Sequence, residues 1–275
     1  MTWFQALILG IVQGLTEFLP VSSSAHLVLV PWALGWRFDA DTAFVFNVLV
    51  QLGTLVAVIA YFWDDLMHIV RGTLRAAILR KLTDDPYVRL AWLIVLATLP
   101  AVVAGVFLKP LVEQAFASPQ AVSGFLLVTA GLLFVAERLG KRLKPLEATT
   151  SMDAVWIGLA QALALFPGVS RSGSTIAAGL VRGMQRPAAA RFSFLMSIPV
   201  MIGAGLLAAL DLAALPAGAL RVPTLLIGFA AAAVVGYLSI RWMLGFIARH
   251  SLGIFSAYCA LVGLLGILAA WLRGG

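Results

Sequence analysis

The chain has 275 residues, 62% of them hydrophobic and 11% charged, with a formal net charge of +7. Soluble domains carry roughly a quarter charged residues, so this composition excludes an ordinary soluble enzyme and points to a protein that lives in a bilayer. A single cysteine, Cys259, excludes an intrachain disulfide and any multi-cysteine metal site, and the basic excess reads as membrane-surface loops rather than a nucleic-acid footprint.

Residues 3–35 open the chain as one long apolar stretch, interrupted midway by Glu17, Pro20, Ser22, Ser23, Ser24 and His26. A continuous helix there would set charge and hydroxyls against lipid, at a cost of several kcal/mol. A hairpin that enters the membrane, breaks and returns is predicted instead. The start lacks a basic segment, so no cleavable signal sequence is expected. Spans of about 20 residues, the length that crosses a hydrocarbon core, are predicted near 43–63, 88–108 and 120–137. The connection at 64–87 holds Arg71, Arg75, Arg80 and Lys81, with Asp64, Asp65, Asp84 and Asp85 as cap and loop residues. A second basic connection follows at 138–152. Residues 153–181 form another interrupted stretch, broken by Pro167, Gly168 and the run Ser170–Thr175, with Asp153 at its start. The last three spans are predicted near 189–210, 222–240 and 252–272.

The basic residues gather at 64–87, 138–152, 182–191 and 241–249, which the positive-inside rule makes cytoplasmic. Arg37, Lys109, Arg221 and Arg273 fall on the opposite side, and both termini are expected outside. Tryptophans at 3, 32, 36, 63, 156 and 271 lie near predicted ends, as an interfacial belt requires.

The two interrupted stretches repeat each other. Gln13 to His26 reads QGLTEFLPVSSSAH and Gln161 to Ser174 reads QALALFPGVSRSGS. At an offset of 148 positions, Gln13/Gln161, Leu15/Leu163, Phe18/Phe166, Val21/Val169, Ser22/Ser170 and Ser24/Ser172 coincide, and Phe44 and Phe46 fall on Phe192 and Phe194. Each half is a hairpin plus three spans, and three is odd, so the second half starts on the other side of the membrane. The expected fold is an all-α polytopic membrane protein of two inverted-topology repeats, about 1–138 and 152–275, in a single integral membrane domain. Small residues such as Gly10, Gly14, Gly53, Gly131 and Gly263 suit helix packing. Ionisable residues at depth are expensive and usually functional, which singles out Glu17, His26 and Arg171.

The second loop offers an anion site. Gly168 and Gly173 allow close backbone approach, Ser170, Ser172, Ser174 and Thr175 offer hydroxyls, and Arg171 adds a fork suited to phosphate oxygens. The resuming helix also presents free N–H groups. In a membrane the anion expected is a phosphate or diphosphate headgroup. In the first loop Gln13 and Glu17 share one helix face. Glu17 suits either a divalent cation or a base, Ser22, Ser23 and Ser24 include a candidate nucleophile, and His26 is a candidate proton carrier. Together these residues describe a phosphate-ester or anhydride hydrolase. His68 and His250 read as solvated loop histidines. Asn47 and Gln51, one turn apart in the first span, suit helix packing and support of the site equally.

At these motifs the chain resembles the BacA-type undecaprenyl-diphosphate phosphatase family. The resemblance is carried by QGLTEFLPVSSSAH, by F-x-F-x-V-x-x-Q-L-G-T-L over Phe44–Leu55 and by PGVSRSGST at 167–175. It implies removal of the terminal phosphate of undecaprenyl diphosphate to give the carrier lipid for cell-wall synthesis, and a link to bacitracin, which sequesters the substrate. It also implies a divalent cation (Mg2+ or Ca2+), the bacterial cytoplasmic membrane and a periplasm-facing site. Carried over, the family's (E/Q)xxxE motif falls on Gln13 and Glu17, its hydroxyl motif on Ser22–Ser24 with His26, and its arginine motif on Ser170, Arg171, Ser172 and Thr175. Two positions depart from it: Gln13 replaces a frequent glutamate, which leaves Glu17 as the metal ligand, and Ala25 replaces a glycine before His26. The roles expected are Glu17 as ligand or base, Ser23 or water as nucleophile, His26 as proton carrier and Arg171 as diphosphate clamp. The competing reading is an inverted-repeat transporter or flippase for a phosphorylated lipid, since such proteins place broken helices around a midplane anion site. A polyprenyl diphosphate and the bilayer are the partners expected, nucleic acid is not, and a homodimer is compatible with the sequence.

Overall fold

Local sequence sets most helix boundaries. The computed structural model describes residues 1–79, 85–213 and 222–273; Arg80, Lys81, Asp84 and Arg221 lie outside the described residues. In chain order the helices are α1 (Trp3–Phe18), α2 (Ser23–Ala33), α3 (Ala40–Tyr61), α4 (Trp63–Ile78), α5 (Pro86–Phe116), α6 (Pro119–Leu139), α7 (Ser151–Leu163), α8 (Arg171–Val181), α9 (Arg186–Ala213), α10 (Val222–Ile247) and α11 (Gly253–Leu272), with a 3-10 turn at Leu146–Ala148. Thr2 and Thr150 open α1 and α7 with capping boxes, using Gln5 and Asp153 as the reciprocal partners. Asp39 Oδ1 accepts from Thr42 N at 2.8 Å at the start of α3, and that backbone hydrogen bond holds its carboxyl below the usual carboxylate range.

Among the described residues six helices, α3, α5, α6, α9, α10 and α11, are long and apolar enough to cross a membrane, and the protein is a multi-pass membrane protein. They fall on the six spans expected from the sequence, with two corrections. The second runs to Phe116 rather than 108, and α10 runs to Ile247 rather than 240. Lys109 and Glu113 do not end α5, because they pair along its exposed face. The connection at 64–87 is not a loop through most of its length: Trp63–Ile78 is the amphipathic helix α4, with Val70, Leu74 and Ile78 exposed on one stripe and Arg71 and Arg75 beside it. Asp64 and Asp65 therefore sit in its first turn, where carboxylates favour the helix dipole, and Asp85 caps α5.

The two halves pack by exchange. Helix α1 lies on α10 and α7 on α5; α3 lies on α10 and α9 on α5; α6 meets α11 and α3 meets α9. Small residues make the closest approaches. A side chain on Gly10 would strike the backbone of Gly228 in α10, and one on Gly158, its counterpart at the same offset, would strike the Ala97 carbonyl in α5. Gly14, Gly53 and Gly263 are likewise closed by neighbours, whereas a side chain on Gly131 would meet nothing within 4 Å among the described residues. Cys259 is fully buried filler. Phe18, Phe62 and Phe194 form the aromatic centre beneath the first loop, with Phe18 edge-on to Phe194 at 5.5 Å.

Charge clamps mark one end of the bundle. Glu137 at the end of α6 accepts from Arg186 Nε at 2.9 Å, Arg142 Nη2 at 2.7 Å and the Leu252 amide at 2.8 Å. Asp153 accepts from Lys144 Nζ at 2.7 Å and Arg182 Nε at 2.8 Å, which joins the mouth of the α7–α8 hairpin to the same end. At the far end of α11, Arg273 stacks over Trp32 of α2 at 4.5 Å, and its Nη1 donates to the Trp32 carbonyl. The mouth of the α1–α2 hairpin thus lies at the opposite end of α11 from the mouth of α7–α8.

Candidate active site

Both interrupted stretches break where the polar residues stand. The first pauses at 19–22 and the second at 164–170, and the two breaks are stapled together. Ser172 Oγ donates to the Leu19 carbonyl at 2.9 Å, and the Gly168 amide donates to Ser24 Oγ at 3.4 Å. Ser22 closes α2 as its N-cap, its Oγ accepting from Ala25 N at 3.3 Å, and it holds a left-handed φ of 69°. A non-glycine residue there is uncommon, and hydrogen bonds with Ser24, Ala25 and His26 hold it in place. Gly168, at φ 108°, has no side chain because one would strike Val122 and Phe125 of α6. The bare glycine there lets α6 approach closely.

At the centre of the staple, Glu17 faces three partners. Ser23 Oγ donates to its Oε2 at 2.6 Å, Gln13 Nε2 donates to the same oxygen at 2.9 Å, and Arg171 Nη2 donates to Oε1 at 2.8 Å. Both charged side chains are almost buried, 9% exposed for Glu17 and 14% for Arg171. Each charge satisfies the other across the junction of the two hairpins, which is the condition for keeping either at that depth. Gln13 Nε2 also reaches Thr54 Oγ1 at 3.4 Å, while its buried Oε1 has no partner among the described residues. A cleft of about 190 Å³ opens onto Gln13, Glu17, Ser23 and Ser24 on one side and onto Asn47 and Gln51 of α3 on the other. Leu27, Val28 and Phe116 form its apolar rim.

Other expected site residues stand elsewhere. His26 is not brought to Glu17: its Nε2 meets Tyr258 Oη at 2.7 Å, its Nδ1 meets the Ser22 carbonyl at 2.7 Å, and its ring stacks on Tyr258. The helical repeat puts Ser23, Ser24, Leu27 and Val28 on the cleft face of α2 and turns His26 towards α11. Thr175 Oγ1 meets Ser193 Oγ at 2.6 Å and donates to the Arg171 carbonyl at 2.7 Å, so it braces the arginine turn from behind. Ser170 caps α8 by accepting from Gly173 N at 3.0 Å. His68 and His250 stack on Tyr87 and Phe246 at exposed positions away from the cleft.

Sequence reasoning missed four polar residues that hold the site. Thr129 of α6 donates to the Gly168 carbonyl at 2.9 Å and accepts from Ser170 N at 2.9 Å, pinning the second break from both ends. Thr54, Ser193 and Tyr258 brace Gln13, Thr175 and His26. Each is a hydroxyl in an apolar span that carries another, as Ser123 accompanies Thr129 and Ser256 accompanies Tyr258, so the sequence does not single it out.

The arrangement, two broken hairpins sharing a buried carboxylate–guanidinium pair beside a serine, spans motifs 154 positions apart in the chain. The family described as "Bacitracin resistance protein BacA" matches residues 6–265. The chain belongs to the BacA family. Relatives extend the match over the whole length. A protein of Desulforudis audaxviator named undecaprenyl-diphosphatase is 46% identical, covering 98% of this chain and 99% of its own. Proteins of the same name from Methanosphaera stadtmanae and Micrococcus luteus are 43% and 44% identical, covering 96% and 100% of this chain and 96% and 99% of their own. The stapled loops described above fall wholly inside the family match.

For a divalent cation, the cleft offers oxygen donors. Among the described residues no three His, Cys, Asp or Glu side chains converge. Glu17 and the unpartnered Gln13 Oε1 nonetheless present the hard oxygens that Mg2+ or Ca2+ takes, and both cations accept phosphate oxygens for the remaining positions.

Proposed function

We propose that this BacA-family protein is an integral membrane phosphatase that hydrolyses undecaprenyl diphosphate to undecaprenyl phosphate and inorganic phosphate, returning carrier lipid to cell-wall synthesis and withdrawing the lipid that bacitracin captures. The observation that carries the chemistry is the 2.6 Å contact of Ser23 Oγ with Glu17, whose other oxygen is held by Arg171. Ser23 gives its proton to Glu17 as Oγ attacks the terminal phosphorus, and the bond from that phosphorus to the bridging oxygen breaks. The electron pair leaves with the lipid monophosphate. Water then cleaves the phosphoserine, restoring the hydroxyl and releasing inorganic phosphate. Arg171 turns from Glu17 to the diphosphate as charge develops on it. The first amides of α2, at Ser23 and Ser24, lie at a helix N-terminus open to the phosphate oxygens. Glu17 and Gln13 Oε1 are the groups that would hold a divalent cation, which would neutralise charge on the diphosphate. His26 acts through the Ser22 carbonyl, fixing the turn that carries the serines; proton carriage by its ring would require Nε2 to leave Tyr258.

The same reading makes the two halves inverted repeats, each with a re-entrant hairpin. Three features support it: the helix packing exchanges between halves, Gly10 and Gly158 play the same part, and the hairpin mouths lie at opposite ends of α11. The clamped end carries Arg138, Lys141, Arg142, Lys144, Arg182 and Arg186, so the positive-inside rule makes it cytoplasmic. The α1–α2 mouth then faces the periplasm of a bacterial inner membrane. A flippase would need the crossed hairpins but not the Ser23–Glu17 contact, which favours the phosphatase. The test is Arg171→Ala: phosphate release should fall about a thousandfold in protein that still folds, the lower range for arginines in phosphoryl transfer. Near-normal turnover would sink the assignment.

A further inference from the structure

We infer that Gln51, with Asn47 one turn before it, is a substrate-binding residue that holds the attacked phosphoryl group against Ser23, an inference that rests on the phosphatase reading above. Helix α3 is apolar along most of its 22 residues but carries one polar line, Asn47, Gln51 and Thr54. Thr54 is accounted for, since it receives Gln13. The carboxamides of Asn47 and Gln51 have no hydrogen-bond partner among the described residues, and both open on the cleft that holds Glu17 and Ser23. Unpaired amides in a membrane-spanning helix are costly unless something polar fills the space they face. Packing is a poor account, because an amide kept for packing would be enclosed and bonded, as Gln13 Nε2 is.

The space fits one kind of occupant. About 190 Å³ accommodates a phosphoryl headgroup but not a long polyprenyl tail, which leaves past the apolar rim of Leu27, Val28 and Phe116. The cleft already contains a carboxylate, so the group it takes must accept hydrogen bonds and also tolerate Glu17 beside it. Neutral amide donors meet both needs, since they bind phosphate oxygens without cancelling the charge on Glu17. Lacking full positive charge, they also release the inorganic phosphate that forms.

The experiment measures binding and turnover separately, on purified full-length protein in detergent. Binding is read with farnesyl methylenediphosphonate, a non-hydrolysable diphosphate, and with inorganic phosphate as competitor. Turnover is read with undecaprenyl and farnesyl diphosphates. Gln51→Ala should weaken diphosphonate binding about tenfold, Gln51→Glu, equal in size but without the donors, at least as much, and Asn47→Ala by a smaller factor. The loss in kcat/KM should be the same for long and short substrates, and inorganic phosphate should compete less well. Unchanged diphosphonate binding in Gln51→Ala would overturn the inference whatever the turnover. So would a loss confined to the long substrate, which would put Gln51 on the tail, or full binding by Gln51→Glu, which would make size the only requirement. A wild-type protein that binds the diphosphonate through Gln51 but releases no phosphate would leave the inference standing and refute the phosphatase.

Discussion

Asp153 is the fully buried carboxylate at the clamped end, and its removal gives the sharpest test of what holds the second hairpin. Its side chain is fully buried and accepts from Lys144 Nζ, Arg182 Nε, the Thr150 amide and the Thr150 hydroxyl, at 2.7, 2.8, 2.9 and 2.8 Å. Asp153→Ala strands two cations. Breaking a buried pair costs about 3–5 kcal/mol, but Lys144 and Arg182 are 26% and 35% exposed and recover part of their hydration, which places the loss at about 3 kcal/mol. Asp153→Asn keeps one oxygen for Thr150 but loses the charge and replaces the oxygen that accepts from Arg182 with an amide donor, so its cost should be about 2 kcal/mol. At roughly 2–4 °C per kcal/mol, thermal unfolding of the detergent-solubilised protein should drop by about 6–12 °C for alanine and less for asparagine. Adding Arg182→Ala to Asp153→Ala should cost little more, because the partner is already gone. An alanine variant melting within about 2 °C of wild type would refute the reasoning, as would a full additional penalty from Arg182→Ala.

Two further outcomes test the architecture. Gly158→Val should drive a side chain into the Ala97 carbonyl and Pro100, and Gly10→Val into Gly228. Each should destabilise by at least the 1–3 kcal/mol of ordinary overpacking, read by thermal unfolding, and a large effect at one glycine only would argue against equivalent halves. For orientation, a cysteine replacing Glu113 should label with an impermeant reagent from outside intact cells, and one replacing Arg142 should not. The reverse pattern would turn the protein over.

The sequence made the six spans and the two broken stretches legible for physical reasons. Glu17, Pro20, three serines and His26 crowded into one apolar stretch, and Pro167, Gly168 and a run of hydroxyls into the other, are too many polar groups for a continuous lipid-facing helix, and a string that recurs with six matches in fourteen positions marks the breaks. It also made legible the residues that meet there, since Glu17, Ser23 and Arg171 do converge. Helix α4 was hidden because its charged residues masked an apolar stripe at helical spacing, Val70, Leu74 and Ile78. The place of His26 was hidden because nearness in sequence says nothing of helix phase; three residues beyond Ser23 it faces α11. Thr129 and Tyr258 were hidden because one hydroxyl in a span looks like the next until the break it serves is packed beside it. Gly168 stands near serines in the sequence, with no sign there that its missing side chain admits α6.

The most direct test of the central claim is phosphate release from undecaprenyl diphosphate by the purified protein, with and without a chelator, beside Glu17→Gln. The account predicts metal-dependent release that falls by about 10²–10⁴ when Glu17 can no longer accept the Ser23 proton. Release by Glu17→Gln within tenfold of wild type would contradict it, and so would a folded wild-type protein that binds the lipid and releases nothing.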